Sequence, residues 1–224
     1  MERRNITDAP MEIYVHIPFC IKKCDYCDFL SGPAGKERQA EYFQALQREV
    51  ASVPDFPDRE ITTVFIGGGT PSVPDPALIG AVLDQIRNKF FMAPDAEITI
   101  EANPGTLYKE KLEDYLEHGV NRLSLGLQSP QNRELKILGR IHTWEEFLES
   151  FSLAREAGFS NINIDLMSAI PDQTYEDWKK NLCTVAALGP EHISAYSLIV
   201  EEGTPFRERD LKLPDEDTEY RMYE

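Results

Sequence analysis

The sequence predicts an α/β fold, an incomplete (β/α)6 barrel with parallel strands and a polar lumen. Three observations carry this reading. Strand-like runs alternate with helix-like segments along the 224 residues, the pattern of a parallel sheet with right-handed crossovers. Most of those runs alternate apolar and polar residues, whereas strands covered on both faces of an open sheet read as continuous apolar runs. Six such runs are visible, too few for the closed eight-strand barrel with its packed interior of Val, Ile and Leu. The competing arrangement is an ordinary doubly wound open sheet.

The strand-like runs fall at residues 12–17, 61–66, 97–101, 122–128, 162–167 and 192–198. In the first, Ile13, Val15 and Ile17 share one face while Tyr14 and His16 share the other. Ile98 and Ile100 oppose Thr99 and Glu101 in the third. Leu123, Leu125 and Leu127 oppose Ser124, Gly126 and Gln128 in the fourth. Ile162, Ile164 and Leu166 oppose Asn163 and Asp165 in the fifth, and Ile193 and Ala195 oppose Ser194 and Tyr196 in the sixth. The apolar face must pack on helices. The polar face, in a parallel sheet, needs a curled lumen to shelter it.

The helices carry terminal signals. Pro76 follows Asp75 as a first-turn proline behind a cap, and Leu78, Val82 and Ile86 recur every fourth residue. Thr106 is expected to open the next helix, with Tyr108, Leu112 and Leu116 as its stripe and Gly119 past its end. Thr143 and Glu146 form a capping box, and Gly158 closes that helix. Thr174 opens another, with Trp178, Leu182, Val185 and Ala186 as its apolar face and Gly189-Pro190 as its stop. Asp215 caps a sixth helix beginning near residue 215. The whole chain, 1–224, reads as one core domain with residues 1–11 as an N-terminal arm and a truncated C-terminal end.

Composition excludes several classes. A formal net charge of −16 argues against a nucleic-acid surface, which needs a basic face. No apolar stretch reaches the roughly 18 residues of a membrane span. MERRNITDAP is followed by no apolar h-region, so a cytoplasmic protein is expected. Three of the four cysteines sit together, and clustered thiols point to metal or redox chemistry rather than a disulfide framework.

Those three lie in HIPFCIKKCDYCDF, as C-x3-C-x2-C at Cys20, Cys24 and Cys27. The loop follows the first strand at its C-terminal end, where barrels place their chemistry. Thiolates hold iron–sulfur clusters, usually four of them. A tight loop with three leaves one iron open to an exchangeable ligand. The competing reading is a structural zinc site with His16 or Cys183 as the fourth ligand. On the residues alone, His16 is expected to face the lumen as a hydrogen-bonding group, and Cys183 to be a small buried hydrophobe. GGGTPS after the second strand reads either as a tight turn or as a backbone that lets a ligand approach closely. Arg140 and Asp165 read alternatively as a stabilising ion pair.

HIPFCIKKCDYCDF resembles the cluster loop of radical S-adenosylmethionine (SAM) proteins, specifically the oxygen-independent coproporphyrinogen III oxidase family with its HemW-type heme-chaperone branch. The resemblance continues through GGGTPS (67–72), IEANP (100–104), RLSLGLQS (122–129), GRIHT (139–143) and NIDLMSAIP (163–171), nearly the whole chain. It implies a radical SAM barrel and a [4Fe–4S] cluster on Cys20, Cys24 and Cys27. It also implies a SAM molecule lined by Tyr14, Gly68, Gly69, Thr70, Glu101 and Ile199. In the oxidase the positions of Tyr26, Gln128, Arg140 and Asp165 contact a second SAM.

Three departures separate the chain from the oxidase. Phe29 stands where the oxidase has a fourth cysteine, only 19 residues precede Cys20, and Ser168-Ala169 replaces the family's usual Tyr-Gly. The first two match the chaperone branch. The resemblance therefore implies a heme chaperone that passes heme to an acceptor protein, with a flavodoxin- or ferredoxin-like electron donor. The alternatives are an oxidase that decarboxylates porphyrin propionates with a 5′-deoxyadenosyl radical, and, in another class, a zinc-stabilised binding domain. The C-terminal domain of the family is expected to be absent.

Overall fold

The structure, a computed structural model, describes residues 10–224, so most of the arm assigned to residues 1–11 lies outside the described residues. Six strands form one sheet in the order of the chain: β1 (Met11–Ile17), β2 (Ile61–Gly68), β3 (Met92–Ala102), β4 (Arg122–Gln128), β5 (Ile162–Ser168) and β6 (His192–Ser197). Each pairs parallel with the next. A doubly wound sheet reverses its strand order at a switch point. This order never reverses, which rules out that arrangement. The sheet is open: β1 and β6 are its two edges.

The alternation read from sequence is what the strands bury. Ile17, Val64, Ile66, Ile100, Leu125 and Ile164 face outward into the main core. There they meet Phe43 from α1 (Lys36–Ser52), Leu83 and Ile86 from α2 (Pro76–Lys89), and Leu112 from α3 (Lys109–Glu117). Phe147 from α5 (Trp144–Ala157) and Trp178 from α6 (Tyr175–Ala186) complete that layer. A shorter α4 (Asn132–Ile137) follows β4, and α7 (Glu216–Tyr223) follows β6 after a 3₁₀ turn at Pro205–Glu208. The edge strand β6 is the least covered, with Ala195 exposed. A second apolar cluster, Leu138, Met167, Ile170, Leu198 and Phe206, packs at the C-terminal ends of the strands. Among the described residues no helix is long and apolar enough to cross a membrane.

Helix ends follow their caps. Asp75 accepts from the Ala77 N–H with Pro76 in the first turn. Thr143 with Glu146, and Thr174 with Asp177, form reciprocal capping boxes. Asp215 caps α7. Gly158 is left-handed, φ +116°, past the end of α5.

Three sequence expectations need correction. Thr106 does not open α3: its hydroxyl donates to the Asn103 carbonyl at 2.6 Å, and the helix starts at Lys109 with Tyr108 before it. Tyr108 is therefore an exposed residue at the helix entrance rather than part of the buried stripe. Cys183 is exposed. The buried stripe of α6 is Trp178, Asn181 and Val185, which turns Cys183 and Ala186 outward.

Ala169 has φ +57° and is buried. A left-handed backbone costs a non-glycine residue about 1–2 kcal/mol, partly offset by the smaller chain entropy that alanine loses, about 0.4–1 kcal/mol relative to glycine. Ala169→Gly should therefore raise stability by roughly 0.5–1 kcal/mol. A urea midpoint that shifts upward at unchanged slope checks this. A downward shift means the strain assignment is wrong.

Candidate metal centre and ligand cavity

The cysteine loop leaves β1 and is tied down on both sides. Cys20 N–H donates to the Gly32 carbonyl at 3.0 Å, and Gly32 N–H returns to Pro18 at 3.0 Å. The β2 turn joins in: Gly69 N–H donates to Ile17 and Thr70 N–H to Phe19, at 2.9 and 2.7 Å. A Cβ on Gly69 would sit 2.8 Å from the Phe19 carbonyl oxygen and 3.0 Å from Cys20 Sγ. Gly68 has φ +117°, and a Cβ there would strike the His16 ring at 2.6 Å. The glycines of GGGTPS are thus a close approach between the turn and the thiol loop, rather than a free hinge.

On the far side, Asp25 N–H donates to the Leu138 carbonyl, and the Asp25 carbonyl accepts from the Phe206 N–H. Its carboxylate pairs with Arg209 at 2.7 Å. The 3₁₀ turn after β6 therefore clasps the loop in its middle.

Cys20, Cys24 and Cys27 open into one cavity of about 310 Å³ at the C-terminal ends of the strands, at the small end of ligand pockets, about 300–1,000 Å³. Of the residues singled out from sequence, Tyr26, Gly68, Gly69, Thr70, Glu101, Gln128, Arg140, Asp165 and Ile199 line this same cavity. Tyr14 does not. It lines an adjoining cleft with His16, Phe29, Gly68 and Glu101.

Polar contacts fix the walls. Thr70 Oγ1 lies 3.6 Å from Cys20 Sγ and accepts from Asn103 Nδ2 at 2.8 Å. Arg140 points one nitrogen at Cys24 Sγ, 3.6 Å, and another at Asn103 Oδ1, 2.7 Å, while also donating to the Gly126 carbonyl. The ion pair of Arg140 with Asp165 does not form. Asp165 instead accepts from Asn163 at 2.7 Å and from Ser124 at 3.4 Å. Gln128 carries φ +75° at the bulge that ends β4, and its Oε1 accepts from the Tyr196 hydroxyl at 2.6 Å.

His16 is occupied. Its Nε2 donates to the Leu30 carbonyl at 3.2 Å, which leaves Nδ1 to accept from the Tyr14 hydroxyl at 3.1 Å. With Cys183 exposed on α6, neither residue is placed to complete a four-ligand zinc site. Among the described residues no group of three His, Cys, Asp or Glu is gathered around a point for a single ion. A cuboidal cluster asks for something different, three thiols spread around a space several ångströms wide, and the three cysteines on one cavity wall suit it. Among the described residues Arg140 Nε finds no partner although it is buried, an unsatisfied donor in that wall. The donor set and the glycine cradle both fit an iron–sulfur cluster with a small polar ligand beside it.

The electrostatics follow from burial. Glu101 is pushed up to about 7 by burial, tempered by the Gly68 N–H that it accepts at 3.1 Å and reinforced by the Asp165 charge. Asp165 is also raised, chiefly by burial. Burial raises the Cys27 thiol, against a backbone hydrogen bond at Phe29. His142, behind Arg140, is pushed down to about 3 by burial and by that cation.

Asn103 and Tyr196 were not among the candidate residues. Asn103 stood inside the IEANP block, and Tyr196 on the polar face of the sixth strand, so both had a signal. What singled neither out was the partner: each works through Arg140, Thr70 or Gln128, residues distant in sequence.

Glu101 generates a pH prediction. Its folded pKa lies above its ordinary value of 4.5, so the folded ligand-free chain holds the proton more tightly than the unfolded one. Its contribution to stability is complete below pH 4.5 and lost as pH rises through about 7. Glu101→Gln removes that loss. At pH 8 the variant should be more stable than the parent by on the order of 1–3 kcal/mol, and by much less at pH 4.5. Denaturant melts at the two pH values check this. Equal differences at both would mean Glu101 ionises normally.

Comparison with known proteins agrees with this geometry. The sequence profile of the Radical SAM superfamily matches residues 14–182. The heme chaperone HemW of Escherichia coli is 41% identical over 217 residues, covering 96% of this chain and 57% of that protein. HemW of Bacillus subtilis is 39% identical, covering 94% and 57%. Among solved structures, the E. coli coproporphyrinogen III oxidase HemN, a radical SAM enzyme, superposes with a TM-score of 0.84 at 30% identity. That match covers 96% of this chain and 50% of that one. The chain thus spans about half the length of the relatives it matches. With the profile lying across β1 to α6 and the thiol loop at its start, the chain belongs to the radical SAM superfamily.

Proposed function

We propose that the chain forms the radical SAM half of a HemW-type heme chaperone, which binds heme and hands it to an acceptor protein. The observation that carries this reading is Phe29. By the resemblance of the cysteine loops it stands where the oxidase has a fourth cysteine; it is 64% exposed and lines both the main cavity and the adjoining cleft. An exposed aromatic ring beside Tyr14 and Leu30 suits a flat apolar ligand, whereas a thiol there would suit redox work. The 35–41% identities to proteins described as heme chaperones support the same choice.

In this reading Cys20, Cys24 and Cys27 hold the [4Fe–4S] cluster. The cluster and SAM, when bound, supply one-electron cleavage of a sulfonium C–S bond. The residues of the chain bind, orient and shield. Glu101 offers a carboxylate to an ammonium group, and the Gly68–Gly69 edge lets a small ligand lie against backbone. Arg140 holds the Cys24 side of the loop and presents a buried donor to the cavity. Gln128 and Asp165 face the lumen below. An outside reductant of flavodoxin or ferredoxin type and a heme acceptor complete the scheme. A cytoplasmic setting, reducing and low in disulfides, suits the free thiols.

Two experiments test it. Heme added to anaerobically reconstituted protein should give a saturable Soret shift, and coproporphyrinogen III should yield no carbon dioxide. Release of carbon dioxide without a Soret shift would make the chain an oxidase. For the cluster, Cys24→Ala should lose most iron, sulfide and visible absorbance while its far-ultraviolet circular dichroism is retained, and Cys183→Ser should keep all of them. A full iron complement in Cys24→Ala removes it from the ligand set.

A further inference from the structure

Behind the cavity wall lies a carboxylate with no part in the proposed heme and SAM chemistry. Glu134, on the short helix α4, is 0% exposed. Four side-chain donors surround it. Ser129 Oγ donates to Oε2 at 2.6 Å, Asn181 Nδ2 at 2.8 Å and Gln173 Nε2 at 3.1 Å, while Gln131 Nε2 donates to Oε1 at 3.3 Å. Asn181 Oδ1 in turn accepts from Gln131 at 2.7 Å. The nearest cation, Arg133, stands 4.0 Å away with its side chain 55% exposed. Every close partner is a donor, so the cage is shaped for a carboxylate and for no neutral side chain of its size.

The donors come from three places: the turn after β4, the turn after β5, and α6. The last residue of β4 and the turn after β5 hold all the left-handed non-glycine residues among the described ones, Gln128 at φ +75°, and Ala169 at +57° and Asp172 at +62°. Gln128 precedes the cage donor Ser129, and Asp172 precedes the cage donor Gln173. The Gln173 side chain also accepts from Ile170 N–H at 3.4 Å. Strained residues persist only where their surroundings over-determine them. One buried carboxylate is bonded beside both strained turns.

We propose that Glu134 is a positioning residue, which clamps the turns after β4 and β5 in their left-handed conformations and thereby aims Gln128 into the ligand cavity. Gln128 reaches the cavity because its backbone is left-handed at the bulge; an ordinary extended backbone there redirects the side chain. The amide is then steadied by the Tyr196 hydroxyl.

The test is hydrogen exchange, read by mass spectrometry, on the chain without ligands. In Glu134→Gln an amide N–H replaces one acceptor oxygen and faces a donor. Exchange should speed up about tenfold or more in segments 128–131 and 169–173 together, as expected for a lost buried hydrogen bond, with β1 to β3 unchanged. Adding Ala169→Gly and Asp172→Gly, which adopt the left-handed backbone without a clamp, should slow segment 169–173 again and leave 128–131 fast. Ser129→Ala removes one donor, keeps the carboxylate, and should move the same segments by less, so the test survives if Glu134→Gln does not fold. Faster exchange confined to α4, or spread over the whole sheet and indifferent to the glycines, overturns the proposal. A second arm rests on the proposed function: reconstituted Glu134→Gln should bind SAM about tenfold more weakly, with iron content unchanged. Normal exchange together with weak SAM binding overturns the clamp. Altered exchange with no SAM binding by the parent protein overturns the functional reading alone.

Discussion

A parallel sheet must be covered on both faces, and this chain covers one face with helices and the other with itself. That constraint organises the molecule. Because the inner residues are Thr99, Glu101, Ser124, Gln128, Asn163 and Asp165, the strands cannot lie flat beneath a second apolar layer; they curl so that polar groups satisfy one another across the lumen. Asn163 shows how tightly. Its amide donates to Ser124 at 2.7 Å and to Asp165 at 2.7 Å, and its oxygen accepts from Ser194 at 3.0 Å. Three adjacent strands are thus joined through one side chain, and buried polar networks of this kind hold only when every member finds a partner.

The curl brings the strand ends together, and the strand ends carry the loops that build the site. Cys20 arrives from β1, the glycine turn from β2, Glu101 and Asn103 from β3, Gln128 from β4, and Arg140 from the connection between α4 and α5. These groups are dispersed along the chain. Asn103 and Arg140 weld them: one amide receives Arg140 and donates to Thr70, and Thr70 reaches Cys20. The thiol loop has a second hold on its far side, where Asp25 pairs with Arg209 at 2.7 Å.

Much of this was legible in the sequence because it is written in period and in spacing. The alternation of Ile13 to Ile17 or Leu123 to Gln128 fixes a face, and the caps at Asp75, Thr143 and Thr174 fix helix starts by a chemistry local to a few residues. Of the residues named from the cysteine spacing and the later blocks, all but Tyr14 line the one cavity, and Tyr14 lines an adjoining cleft. What escaped reading depends on contacts across the fold. Thr106 resembles a cap but spends its hydroxyl on Asn103 and Ser72. Cys183 looks apolar in sequence, yet α6 turns Asn181 inward because the Glu134 cage receives it. Glu134 itself sits in a short charged segment, where no periodic signal marks a carboxylate as buried.

The cavity also carries groups that cost the ligand-free fold stability. Glu101 and Asp165 are half-buried acids held above their ordinary range by desolvation, and the half-buried cation in the wall, Arg140, is committed to Cys24, Asn103 and Gly126. A hydrophobic replacement would suit the lumen better on stability alone, since buried charges recover their desolvation only with good partners. On the proposed function, a ligand ammonium group beside Glu101 would supply such a partner and would draw the carboxyl pKa back toward the ordinary range. Binding at that end would then release a proton from Glu101. The acidity that costs the ligand-free barrel stability is the acidity that the proposed function would use to hold a cationic group.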